Sequence, residues 1–495
     1  MPVQSLPSSL PSNPSLENLR KQSKFLLKSV QSHNPDALLR VREFHSQPDN
    51  ALLDFSLSDA QLVVARSYGF ASWSRLKQHL DVLAQHSLMP KSLEDADGSE
   101  PLADRFIRLA CLNYREDHTH WRDQARELLF EHSSLVSESI YTAVTVGDIA
   151  TVATMLKTNP RSAGLRGGPY RWEPLLYATY SRLNSDAPGH STLEVARLLL
   201  AHGADPNAGF LWDGHYVFTA LTGAFGEGER GPVHQPEHQY CYQLARMLLE
   251  ARADPNDSQT LYNRMFTGGT HHLELLFEFG LGKGGDGVWF KRFADMGTPA
   301  QMIQQQLAWA AKYNQVERLR LLVAHGAAVN EPDTRFQRTP YELAVLHGNP
   351  EIAQYLLAHG ARQTLPSGRD AFFAACLSAD GKRARSLLKQ NPSLLQQLGD
   401  DRAELLQLAA ESDKRDAIRL MATLNFDLNE IKRTTALHNA AGSGHLEMVK
   451  LLIELGADPL IRDTEFNARP IGWAQYGERQ DVVEYLKQFE PVESE

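Results

Sequence analysis

The side chains best suited to chemistry crowd into one stretch, Phe210 to Tyr240, which reads FLWDGHYVFTALTGAFGEGERGPVHQPEHQY. Trp212, Asp213, His215 and Tyr216 precede a short apolar run, and Glu227, Glu229 and Arg230 follow it. Asp213 or Glu227 beside His215 is the pairing that general acid–base catalysis uses, yet no nucleophile motif accompanies it. His234 and His238 lie four apart, but Pro236 between them interrupts the helix on which such a pair would share a metal. His118 and His120, beside Asp117 and Asp123, read as a solvated helix start. GKGGDG, Gly282 to Gly287, has neither the GxxxxGK[ST] order nor a preceding strand, so it reads as a connector rather than a phosphate loop.

What this stretch suits is contact. Trp, Tyr and Arg bury a large area while losing few rotamers, which is why they dominate binding hot spots. Trp212, Asp213, His215, Tyr216, Glu227, Glu229 and Arg230 are therefore candidate partner-binding residues, joined by Tyr262 and Arg264 of QTLYNRMF. The competing role for the aromatics and for Arg264 is local, pinning the chain to its own neighbours. No catalytic residue, metal site or cofactor is assigned, and an enzymatic or small-molecule groove is kept as the alternative to binding.

Composition narrows the classes. A formal net charge of −10 over 495 residues argues against a dedicated nucleic-acid binder, which would carry a basic face. Cys111, Cys241 and Cys376 are far apart, match no metal spacing, and read as buried small apolar residues in a reducing compartment. The first eighteen residues, rich in Pro and Ser, have no cationic start and no apolar core of a signal peptide. No apolar run approaches the ~18 residues of a membrane span. These features predict a cytoplasmic protein, with a secreted effector as the alternative.

The elements that must position the candidate residues show in a recurrence. VARLLLAHGADPN (Val195–Asn207), LARMLLEARADPN (Leu244–Asn256), LRLLVAHGAAVN (Leu319–Asn330), IAQYLLAHGA (Ile352–Ala361) and MVKLLIELGADP (Met448–Pro459) repeat one theme. Each is an apolar helical run ended by a turn residue. Helix-end positions follow at 34 residues from Gly326 to Gly360, 31 to Asn391, 34 to Asn425 and 31 to Gly456. Each unit offers helices shorter than the ~12–15 residues that stand alone in water, so neighbours must bury one another's apolar faces in a solenoid. The helix-end glycine is read as left-handed, with Asn391 and Asn425 as tolerable substitutes and Arg252 as a strained one.

The best-preserved unit, TTALHNAAGSGHLEMVKLLIELGADPLIRD at Thr434–Asp463, has a T-x-L-H opening and the period near thirty-three. On these residues the chain resembles the ankyrin-repeat family, from about Ser134 to Phe489. The resemblance implies an all-α solenoid of stacked helix-turn-helix units with an N-terminal helical segment. It makes His438 a hydrogen-bonding staple, puts Trp212 to Tyr216 on a hairpin finger aimed at a concave groove, and implies binding of a protein or peptide without chemistry; the charge and the lack of an apolar span leave neither nucleic acid nor membrane as the expected partner. LSDAQLVVARSYGFASWSRLKQHL is similar to a helical pair that precedes such arrays in some bacterial proteins, and is expected to cap the open end of the stack with Phe70 and Trp73 in its core.

The expected organisation is a tail at 1–18, a helical segment at 19–85, a linker at 86–100, a second helical segment at 101–133, the array at 134–489 and an acidic tail at 490–495. Excess length falls near 180–191, 226–239 and 281–298, and insertions in such arrays often carry the binding function. A partner surface centred on these three insertions is the functional expectation.

Overall fold

The computed structural model describes residues 10–11, 14–90, 100–185, 187–293 and 296–491. Most of the expected tail at 1–18, residues 91–99 of the expected linker and the last four residues lie outside that set. The described residues form almost wholly short helices, with one two-stranded antiparallel sheet among them, Gly209–Trp212 paired with Tyr216–Thr219. The chain divides into two compact units. The first comprises Met1–Phe225, His238–Thr260 and Gly284–Gly297, and the second Gly226–Glu237, Leu261–Lys283 and Thr298–Glu495.

Helix pairs run from Ile140–Val146 with Ile149–Thr158 to Pro470–Tyr476 with Gln480–Leu486. Their starts are chemically specified. Thr298 and Thr339 each precede a proline and form capping boxes with Gln301 and Glu342, satisfying helix-start N–H groups that have no partner inside the helix. Thr435 and His438 make the same box, and His438 Nε2 lies 3.1 Å from the Ala468 carbonyl of the next repeat. His438 is thus a staple between repeats. Asn side chains tie the turns: Asn330 Nδ2 donates to the Gly360 carbonyl at 2.9 Å, and Arg362 N–H donates back to Asn330 Oδ1 at 2.8 Å. Asn429 does the same with Gly456 and Asp458.

The helix-end positions split into two kinds. Gly203 (φ 85°), Arg252 (φ 76°) and Asn425 (φ 61°) are left-handed. Asn391 is not: its φ is −134°, and Asn159 matches it at −139°. Both precede a proline, whose ring forces the preceding residue toward extended backbone, and a short extra helical turn then replaces the usual ending.

In the first unit, the N-terminal helices Leu16–Gln31, Pro35–Phe44 and Leu57–Ser67 close over a core of Leu19, Leu26, Val41, Val63 and Leu76, with Phe70 and Trp73 only at its rim. The next helix, Trp73–His86, packs against the hairpin. Its Val82 joins Leu211 and Val217 of the hairpin and Trp289 and Phe293 of the 281–298 insertion in one apolar cluster. Trp172 Nε1 donates to the Leu88 carbonyl at 2.9 Å, fixing the chain along the same side. Trp289, 4% exposed, is buried in this cluster. The repeat at Ile140–Val146 is covered by Leu102–Ala110. The second unit's core runs continuously through Phe372, Leu405, Ile418, Leu437, Val449 and Val482, as stacked repeats require.

Candidate functional site

The sequence-selected residues fall into two separate settings. Trp212, Asp213, His215 and Tyr216 form the tip of the hairpin in the first unit, where Asp213 takes φ 50° and Tyr216 is 59% exposed. Trp212 leans on Phe218 at 5.4 Å between ring centroids, so it is half-held by its own hairpin. Asp213 and His215 make no hydrogen bond to each other among the described residues.

Glu227, Glu229, Arg230, Tyr262 and Arg264 belong to the second unit, and here contact and pinning separate. Arg264 and Glu227 are buried, with Nη1 2.7 Å from Glu227 Oε1, and Arg264 also binds Glu237. Thr267 Oγ1 donates to Glu227 Oε2 at 2.6 Å. Desolvation raises the Glu227 pKa, with Arg264 and Thr267 pulling the other way. These two residues clamp the 226–237 insertion rather than face solvent. The Tyr262 hydroxyl binds Glu229, and only Glu229 and Arg230 are exposed. Beneath the clamp, fully buried Arg318 donates through Nη2 to the carbonyls of Arg264, Thr267 and Gly269 at 2.7, 2.7 and 2.8 Å.

The insertion then acts as a strap. From its base on Tyr262 and Arg264 it reaches the last repeat, where the His234 ring stacks on Tyr476 at 4.1 Å and His234 Nε2 lies 2.7 Å from the Tyr476 carbonyl oxygen. The C-terminal ends of the first helices converge along this side. Lys414 Nζ reaches Gly348 O and Asn349 Oδ1, both at 2.9 Å, and His445 Nε2 lies 2.9 Å from the Glu411 carbonyl.

This inner wall carries residues that the sequence reading did not select. Tyr262, Phe266, Trp309 and Tyr313 make a chain of ring contacts at 5.3, 5.3 and 4.2 Å. Lys312 Nζ sits over Tyr313 and Phe336 at 5.1 and 4.8 Å, and the Arg335 guanidinium lies over Trp309 and Phe336 at 5.8 and 5.6 Å. Burial lowers the Lys312 pKa, and burial raises Tyr313 to about 12. His347 is pushed down to about 3 by burial and by the cations Lys312, Lys414 and Arg338. The wall is aromatic and carries the cations Lys312, Arg335 and Lys414, with Glu404 and Glu411 near enough to act on Lys312 and Tyr313.

The other two insertions are packing devices. In 180–191, Arg182 is fully buried and donates to the carbonyls of Thr179, Ser181 and Gly223, while Arg126 Nη2 donates to Leu183 O at 2.9 Å. In 281–298, Trp289 and Phe293 fill the cluster under the N-terminal helix. Asp117, beside His118 and His120, is buried against Arg122, with Oδ2 2.6 Å from Nη2. No helix among the described residues is long and apolar enough to cross a membrane.

Helix pairs, hairpin turns and Asn ties between repeats define an all-α repeat solenoid, a protein–protein interaction architecture. A family model for ankyrin repeats (3 copies) matches residues 294–367, 371–463 and 406–493. Notch-regulated ankyrin repeat-containing protein B of Danio rerio is 31% identical over 90 residues, covering 17% of this chain and 76% of that protein. The Xenopus laevis Notch-regulated ankyrin repeat-containing protein is 37% identical over 73 residues, 13% of this chain and 59% of its own length. Mouse Rabankyrin-5 is 26% identical over 161 residues, 31% of this chain, which spans only 14% of that relative. The chain belongs to the ankyrin-repeat family.

Proposed function

We propose that the chain is a non-catalytic binding scaffold that holds a protein or peptide on the inner wall of its second unit, between the strap and the ends of the first helices. The observation that carries this is the aromatic chain Tyr262–Phe266–Trp309–Tyr313 flanked by Lys312 and Arg335, with Tyr262, Phe266 and Tyr313 half-buried around buried Trp309, large side chains held at low rotamer cost. The first unit's finger side is filled by its own Trp73–His86 helix and Trp289, so a surface centred on all three insertions gives way to one bounded by 226–237. Chemistry is disfavoured because Glu227 is committed to Arg264 and Thr267. A photo-crosslinking residue at Tyr313 is expected to capture the partner, whereas one at exposed Arg419 on the outer helix Arg415–Thr423 is not. Capture from Arg419 or from hairpin-tip Tyr216, with none from Tyr313, would move the docking face elsewhere.

A further inference from the structure

The fingers of the second unit carry a ladder of ion pairs between repeats. Arg338 pairs with Asp370 at 2.7 Å, Arg402 with Glu430 at 2.8 Å, Lys432 with Glu404 at 2.6 Å, and Arg433 with Glu465 at 2.5 Å. Arg369 pairs with Asp401 in the same way. The ladder stops at Lys312 and Arg335. Neither side chain donates to a carboxylate or carbonyl among the described residues, and each is held by ring faces instead. Cations whose flanks rest on Trp309, Tyr313 and Phe336 are held in place while their N–H groups take no acceptor from the described residues.

We infer that Lys312 and Arg335 form a recognition site for the side-chain carboxylates of an acidic, aromatic-containing peptide segment of the partner. This rests on the reading that the inner wall takes the partner. Charge-assisted hydrogen bonds to carboxylate are the strong ones, and the guanidinium fork suits a carboxylate in particular. The surrounding charges agree. Arg338 is occupied by Asp370 and Lys414 by Gly348 and Asn349; of the two acids that act on Lys312, Glu404 is paired with Lys432, which leaves Glu411 as the one without an ion pair among the described residues. Two open cations against one open carboxylate leave the subsite positive. A nucleic acid fits less well: the faces of Trp309 and Phe336 are already covered by cations, two open charges are few for a phosphate backbone, and the net charge of −10 repels a polyanion. A peptide brings one or two carboxylates and its own rings.

The test is fluorescence anisotropy of the full chain with a fluorescein-labelled peptide repeating Gly-Phe-Glu, against Gly-Phe-Gln and Gly-Phe-Lys counterparts. The glutamate peptide is expected to bind, more weakly as salt rises, with the glutamine peptide weaker by ~10-fold or more and the lysine peptide silent. Lys312→Met and Arg335→Gln should each weaken the glutamate peptide by ~10-fold or more, Lys312→Arg should retain binding, and Lys389→Met at an exposed cation away from the rings should change nothing. Equal binding of glutamate and glutamine peptides, no binding of the glutamate peptide, or displacement of it by polyuridine would overturn the assignment, as would indifference to both substitutions at unchanged melting temperature. Crosslinking from Tyr313 that persists in the Lys312→Met, Arg335→Gln double variant sinks carboxylate recognition alone, whereas loss of crosslinking from Tyr313 in the unaltered background sinks the wall itself.

Discussion

Arg252→Gly should make the first unit more stable. Arg252 follows the helix Cys241–Glu250 at φ 76°, the conformation that Gly203 takes one repeat earlier at 85°. The hydrogen bonds match: Arg252 N–H reaches Leu249 O and Ala253 N–H reaches Leu248 O, both at 2.9 Å, as Gly203 reaches Leu200 and Ala204 reaches Leu199 at 3.0 Å. The Arg252 side chain is exposed and makes no ion pair among the described residues, and the bond from Asn207 Nδ2 goes to its carbonyl, which glycine keeps. Relief of the left-handed clash is worth ~1–2 kcal/mol. Glycine's greater freedom in the unfolded chain gives back ~0.5–1 kcal/mol. The net gain is about 0.5–1 kcal/mol, or roughly 1–4 °C in melting temperature for a unit of this size. Thermal unfolding followed by circular dichroism measures it, with Gly203→Ala as the reciprocal control. A Cβ at Gly203 would meet nothing within 4 Å, so any loss there comes from backbone strain alone. A lower melting temperature for Arg252→Gly, or no loss for Gly203→Ala, refutes strain as the governing quantity.

Arg264→Met leaves Glu227 buried without its cation and should cost ~3–5 kcal/mol at neutral pH, with the deficit shrinking in acid as Glu227 takes up a proton; urea titrations at two pH values check this, and a pH-independent loss would contradict it. Deleting 227–238 is for the same reason no clean probe of binding, since it also removes His238 from beside Thr192 in the first unit's core. His238 itself should drive acid unfolding. Its Nδ1 accepts the Tyr240 N–H at 3.0 Å, fixing a neutral ring, and burial with help from Arg182 holds its pKa at about 3 against an ordinary 6.5. The unfolded state binds the proton first, so stability is full above about 6.5 and falls as pH drops toward about 3. His238→Gln should flatten the loss across that window, and an unchanged acid limb would show that other buried groups dominate.

The array was readable because its physics is local. Thr-Pro starts, the Asn ties and left-handed helix ends are fixed by residues a few positions apart, and each repeat restates them. Asn391 shows where that reading slipped. Its spacing matched a helix-end position, but Pro392 acts on the backbone before it, and Asn-Pro at 159–160 carried the same signal. Phe70 and Trp73 pack against the N-terminal core, half-buried rather than at its centre, because helical spacing marks an apolar face without saying how deeply it is covered.

The inner wall was hidden because no local rule assembles it. Phe266 meets Trp309, Trp309 meets Arg335 and His234 meets Tyr476 across separations set by stacking and curvature, and the irregular insertions upset any count from one repeat to the next. Residue type favoured the 226–239 insertion over the wall, since an Arg with two Glu nearby looks like a contact surface. Burial reverses that inference: the same Arg264–Glu227 pair that is chemically conspicuous is satisfied within the chain, whereas Lys312 and Arg335, unremarkable in sequence, rest on ring faces with no acceptor among the described residues. On the proposed reading, the binding residues lie where the pairing ladder between repeats breaks rather than where charged and aromatic residues are densest.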